Sequence, residues 1–156
     1  MPYEIKIQRM TRVLYHECVD LAFLTLRADR PSGYKRQDAV DFLIKDKENK
    51  IRVITYNGSV VGMYLYKENA NNFSLGLFAL SPSVRKSRAG YKLYLDMKDT
   101  LIGKPVLFAT YGDNSSMKTL ARKRSMFLGA SPSAGGKSIE YYSLFFGDKK
   151  IWKGEE

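Results

Sequence analysis

Between Leu80 and Leu93 the chain carries its densest set of residues suited to holding an anion. Leu80 closes an apolar run, and Pro82 then removes a backbone N–H and helps the chain leave a sheet. Arg85, Lys86, Arg88 and Lys92 follow, with no acid between Glu68 and Asp96. Ala89 and Gly90 are small, so backbone can come close to a ligand there. A helix that starts here presents unpaired N–H groups and the positive end of its dipole, which suits phosphate oxygens. The segment therefore reads as an anion-binding helix start, and its composition also suits a solvated basic loop.

Groups for proton transfer are sparse. His16 is the one histidine and falls in an early helix, where a surface or half-buried place is the ordinary outcome. Glu140 lies on a late strand, where a lone carboxylate usually faces solvent, and Tyr141 and Tyr142 read as core and surface of that strand. No nucleophile–base dyad or metal-ligand cluster is visible, so no catalytic residue is assigned and no metal is expected. Lys118, Arg122, Lys123 and Arg124 crowd an acid-free stretch. At i, i+4 spacing Lys118 and Arg122 share a helix face that suits a cofactor phosphate, a nucleic-acid backbone or plain solvent. Aromatic residues are not interleaved there as in a stacking platform for single strands.

The elements that must position these residues follow from periodicity. Residues 3–9 alternate as a strand. Residues 11–28 read as a helix with Leu14, Cys18, Leu21 and Ala22 inward and Thr11 as N-cap. After the break Arg30-Pro31-Ser32-Gly33, a second helix runs from about Arg36 to Lys47 with Val40, Leu43 and Ile44 on one face. Ile51–Tyr56, Asn57-Gly58 and Val60–Tyr66 make a hairpin, because Asn-Gly readily takes the positive φ of a tight turn. Phe73–Leu80 is nearly continuous in apolar residues, as in a mid-sheet strand. A helix over 90–102 with Leu93, Tyr94, Met97 and Leu101 inward follows, then a strand Val106–Tyr111. A helix over 115–128 closed by Gly129, with Asn114 as a plain N-cap, and a strand Ile139–Phe146 complete the order βααβββαβαβ. Nothing in 156 residues splits the chain, so residues 1–156 are expected to form one α/β domain.

The bulk numbers narrow the setting. The formal net charge is +10, and residues 79–156 hold 14 Lys/Arg against 7 Asp/Glu, whereas residues 1–78 hold 12 and 9. Such a basic second half favours an anionic partner, or serves solubility alone. The single Cys18 allows no internal disulfide, no apolar run spans a bilayer, and Met1-Pro2-Tyr3-Glu4 lacks a secretory layout. A cytoplasmic protein without membrane contact is expected.

The stretch Leu80-Ser81-Pro82-Ser83-Val84-Arg85-Lys86-Ser87-Arg88-Ala89-Gly90 resembles the acetyl-CoA-binding motif of GNAT acetyltransferases, V-x-P-x-x-(R/Q)-x-x-G-x-(G/A). Leu80, Pro82, Arg85 and Gly90 match, and Arg88 stands where the motif has its first glycine. Arg85 to Leu93 is also similar to a looser form, R-x-S-R-A-G-x-x-L, of small GNAT-like proteins of tailed phages, which would place the chain in a host cytoplasm. The element order resembles the GNAT fold over nearly the full chain: a mixed central sheet with helices on both faces.

The resemblance implies an acetyl-CoA-dependent N-acetyltransferase acting on an amine of a protein or small molecule. Other readings are a GNAT-shaped binding or virion component without catalysis, and a basic GNAT that acts on or binds nucleic acid such as tRNA. Homodimers are frequent in the family. It further implies that acetyl-CoA lies between the strands 73–80 and 106–112, with its pantetheine arm along the backbone of Phe78, Ala79 and Leu80. Its pyrophosphate would meet the amides of Lys86 to Gly90, and Asn114 would reach the pantetheine. Members often place a tyrosine acid about four residues before a closing glycine, where counting back from Gly129 finds Ser125. Tyr111 is the most plausible substitute acid.

Overall fold

The computed structural model describes residues 5–27, 33–84, 87–111, 125–132 and 138–147. The element order is β1 (Ile5–Arg9), α1 (Tyr15–Arg27), α2 (Arg36–Ile44), β2 (Lys50–Tyr56), β3 (Ser59–Glu68), β4 (Phe73–Leu80), α3 (Arg88–Thr100), β5 (Val106–Tyr111), β6 (Ser125–Pro132) and β7 (Ser138–Leu144). The strands form one seven-stranded sheet in the order β1-β2-β3-β4-β5-β7-β6. Only the β4–β5 pair is parallel; every other neighbour runs antiparallel. The β2–β3 turn is the expected one, with Asn57 at φ 51° and Gly58 at φ 87°. Among the described residues no helix is long and apolar enough to cross a membrane.

Each face of the sheet carries its own core. On one face Cys18, Val19, Leu21 and Ala22 of α1 and Leu43 of α2 pack with Val53, Met63, Leu65, Leu77 and Ala79. On the other, Leu93, Met97 and Leu101 close over Ile54, Tyr64, Tyr66, Phe73, Leu75, Val106, Phe108, Tyr142 and Leu144. The four-residue spacing of Ala89, Leu93, Met97 and Leu101 makes this apolar stripe, and all four are buried. Each fully buried aliphatic side chain contributes about 1.5–3 kcal/mol. The expected mixed sheet with helices on both faces is the observed one.

Several expectations need correction. Helix α1 starts at Tyr15 and not beside Thr11, because residues 12–14 form a turn first, with Leu14 N–H donating to Thr11 O at 3.1 Å. Helix α2 stops at Ile44, because Asp46 binds the following turn: its Oδ1 accepts from Glu48 N–H at 2.9 Å and its Oδ2 from Lys67 Nζ at 2.7 Å. Ile44 is 53 % exposed, and Ala39 takes the inward place beside Leu43. The largest departure concerns the helix expected over 115–128. Residues 125–128 open β6, and Gly129 pairs with Tyr141 inside that strand instead of capping a helix. Residues 115–124 lie outside the described residues. Pairing with β7 outweighs local periodicity there, with an extra residue at Leu128 that bulges the strand.

Candidate acyl-CoA site

Strand β4 changes character halfway along. Phe73, Ser74 and Leu75 pair with Val106, Leu107 and Phe108 of β5, and the ladder then stops. Just past that point, on the β3 side, Leu65 pairs with Leu77 while Tyr66 pairs with Leu75, so Gly76 is an extra residue. A bulge bends its strand and increases its twist, which lets β4 diverge from β5. It also reverses the faces. Phe73 and Leu75 belong to the α3 side, Leu77 and Ala79 to the α1–α2 side, with Phe78 and Leu80 on the α3 side again. Among the described residues, β4 beyond Leu75 pairs only with β3, and Ala109 to Tyr111 of β5 only with β7.

The register tells which backbone groups look into this splay. Ser81 N–H donates to Val61 O at 2.8 Å, so Ser81–Val61 is a hydrogen-bonded pair. Such pairs alternate along an antiparallel ladder, so Ala79 and Leu77 turn their N–H and C=O toward β3. Phe78 and Leu80 turn theirs toward the splay. Of the three residues expected to receive an extended ligand, two have that orientation and Ala79 does not.

The splay ends at the start of α3. Pro82–Val84 form a 3₁₀ turn, held by Val84 N–H on Ser81 O at 3.0 Å and followed by Ser87 N–H on Val84 O at 3.0 Å. Ser87 is the N-cap: its Oγ accepts from Ala89 N–H at 3.2 Å and donates to the Val84 carbonyl. Ala89 points into the core at 7 % exposure, so its smallness serves packing. At Gly90 an added Cβ would meet Leu80 Cδ1 at 2.8 Å, so this glycine first of all lets α3 approach β4. Arg88 and Lys92 are exposed and add positive charge beside the helix start. Arg85, Lys86 and Asn114 lie outside the described residues.

One polar network fixes α3 against the sheet. Asp96 accepts from Arg52 Nε at 2.6 Å, from Arg52 Nη2 at 2.9 Å and from Tyr64 Oη at 2.6 Å. The ion pair is mostly shielded, with side chains 24 % and 17 % exposed. Burial, and then the bond to Asp96, push the Tyr64 phenol far above its ordinary pKa, so it stays a donor. The hydrogen bond to Asp96 raises the Arg52 pKa in turn.

Other candidates for proton chemistry are dispersed. His16 is exposed, with Nδ1 3.5 Å from Arg36 Nη2. Glu140 pairs in register with Thr110 of β5, and its carboxylate accepts from Tyr142 Oη at 2.6 Å. The two tyrosines do divide between core and surface, but in the reverse of the expected order: Tyr142 is buried and Tyr141 is 40 % exposed. Tyr111 closes β5 beside the splay, and Ser125 begins β6, so no helix carries Ser125 as an acid. The sequence reading missed Gly76, although an isolated glycine in an apolar strand is itself a bulge signal.

No protein-family model matches the chain, and no curated protein matches it by sequence. Solved structures do match by shape. The ribosomal-protein-S18-alanine N-acetyltransferase from Escherichia coli superposes with a TM-score of 0.69 at 10 % identity, covering 92 % of this chain and 95 % of that one. An acetyltransferase of the GNAT family from Bacillus cereus gives 0.67 at 13 % identity, over 91 % and 97 % of the two chains. The chain has the GNAT fold. A third GNAT-fold neighbour, the PaiA N-acetyltransferase from Thermoplasma acidophilum, was solved in complex with coenzyme A and gives 0.62 at 12 % identity, over 88 % and 98 %. Within the GNAT fold of this chain, the bulge at Gly76, the splay and the Ser87-capped helix follow one another in chain order.

Proposed function

We propose that the protein is an acetyl-CoA-dependent N-acetyltransferase acting on an amine of a protein or small molecule. The observation that carries this reading is the parting of β4 from β5 after Leu75–Phe108, with Phe78 and Leu80 offering backbone N–H and C=O groups into the opening. An extended pantetheine arm, with its two amides, lies there as an additional strand pairs with a sheet edge. The pyrophosphate meets the basic start of α3, where Arg85, Lys86 and Arg88 neutralise it and the helix dipole assists. Transfer forms the amide C–N bond as the thioester C–S bond breaks; the amine gives up a proton and the thiolate takes one.

Titration calorimetry with acetyl-CoA tests the donor site, and release of free thiol in the presence of amines tests transfer. Saturable heat below millimolar ligand is the expected result, and no heat at millimolar acetyl-CoA overturns the proposal. Binding without turnover across protein and small-molecule amines would favour a GNAT-shaped binding protein. Nucleic-acid affinity that falls steeply with salt would favour RNA or DNA as acceptor or partner.

A further inference from the structure

We propose that Tyr64 is a positioning residue of the donor site, holding the start of α3 and the backbone of Phe78 in one fixed relation. The inference rests on the acyl-CoA reading above and deepens it. Phosphates at the helix start and a pantetheine arm along Phe78 and Leu80 meet two different elements, so one ligand engages both only if their separation is set in advance. Tyr64 of β3 touches both elements. Its Oη donates to Asp96 Oδ2 of α3 at 2.6 Å, and its ring stacks on that of Phe78, with centroids 6.3 Å apart and planes 14° from parallel. The side chain is fully buried, and burial keeps the phenol protonated as a donor to the carboxylate.

On the strand side, Tyr64 and Phe78 are register partners. With Leu77 and Ala79 bonded to β3, they form the non-hydrogen-bonded pair between, where side chains lie closest. The ring stack therefore steadies Phe78 while its own N–H and C=O stay turned to the splay. On the helix side, α3 meets the sheet closely at two places. Gly90 lies against Leu80, and Asp96, six residues on and about 9 Å along the axis, is held by Tyr64 and Arg52. Two contacts fix the line of a rigid rod. If the contact at Asp96 loosens, α3 tilts about Gly90 and the turn from Ser87 to Gly90 moves relative to β4. Arg52 grips the same carboxylate from β2, one strand further from the splay, so the link to Phe78 runs through Tyr64.

The test is calorimetry on the full chain with CoA and with ADP, which carries the pyrophosphate without the pantetheine arm. Tyr64→Phe keeps the ring and loses the bond to Asp96; it should weaken CoA and ADP alike, by about fivefold or more. Phe78→Leu leaves α3 anchored and loses the stack; it should weaken CoA by a similar factor and leave ADP within about twofold. Val19→Ala, which truncates the core on the opposite face of the sheet, should unfold more easily yet bind both ligands within about twofold of wild type. That control separates positioning from loss of stability. Should Tyr64→Phe fail to fold, Phe78→Leu still tests the strand half of the link. If the folded variants bind CoA as the wild type does, or if Val19→Ala loses as much affinity as they do, the role of Tyr64 is refuted and the donor site stands. If neither ligand binds the wild type, the acyl-CoA reading falls and this inference falls with it.

Discussion

Replacing Gly90 by alanine should destabilise this protein, although the same change in most helices is stabilising. Alanine in a helix is favoured over glycine by about 1 kcal/mol. At Gly90 the new methyl would sit 2.8 Å from Leu80 Cδ1, while the other methyl of Leu80, Cδ2, lies 2.8 Å from the Cβ position of Gly62. Ile54 Cγ2 and Leu93 Cδ2 crowd that second notch at 2.9 and 3.2 Å. Leu80 is thus seated between two glycines, and turning it away from one drives it into the other. Overpacking of this kind costs about 1–3 kcal/mol. Set against the propensity gain, a net loss of about 1 kcal/mol is expected, with 2 kcal/mol as the upper end.

A double-mutant cycle in urea isolates the cause. Leu80→Ala alone should cost about 2–3 kcal/mol, since this half-buried side chain belongs at the low end of the range for core truncation. In the Gly90→Ala background it should cost about 1–2 kcal/mol less, because the alanine methyl occupies the space given up. Acetyl-CoA affinity should fall in Gly90→Ala as the first turn of α3 moves away from β4. Two results would refute the reasoning. One is a Gly90→Ala protein about 1 kcal/mol more stable than wild type; the other is single-variant effects that add within about 0.5 kcal/mol.

Further expectations concern other links in the chain. Ser87→Ala removes the N-cap of α3 and should cost about 1 kcal/mol in chemical denaturation while weakening acetyl-CoA binding; unchanged stability would mean the cap contributes nothing. Tyr64→Phe removes a hydrogen bond to a carboxylate and should cost about 1.5–3 kcal/mol, read by thermal unfolding at pH 7. Burial raises the Cys18 thiol from 9.0 to about 12, so the unfolded chain releases this proton first and stability should fall as pH rises through that window. The fall should be on the order of 4 kcal/mol for that span and smaller in Cys18→Ala, as alkaline urea titrations would show. Gly76→Val should distort the bulge, because even a Cβ meets Leu65 Cδ2 at 2.6 Å; acetyl-CoA affinity should drop, and an unaffected affinity would detach the bulge from ligand binding.

Much of the fold was legible from local pattern. The Asn57-Gly58 turn, the inward faces of α1 and α3 and the strand-to-helix passage at Leu80–Ser87 all follow from short-range rules of turn conformation, periodicity and capping. The end of the chain was less so. Residues 125–129 could satisfy a helical pattern as readily as an extended one, and pairing with β7 decided between them. In β4 the nearly continuous apolar run concealed a reversal of faces, since apolar residues at consecutive positions show little alternation, and Gly76 was the one local mark of the extra residue.

Residue types alone led to the reading of an anion site: Ala89, Gly90 and clustered cations where a strand passes into a helix, a setting that helix-end chemistry suits to phosphate. What surrounds that segment was set by packing. Whether Ala79 or its neighbours Phe78 and Leu80 face the opening depends on the register against β3. Whether Gly90 serves a ligand or a leucine depends on how closely α3 approaches β4. These are long-range relations, set by the packing of segments distant in the chain, and local residue preferences do not encode them one position at a time.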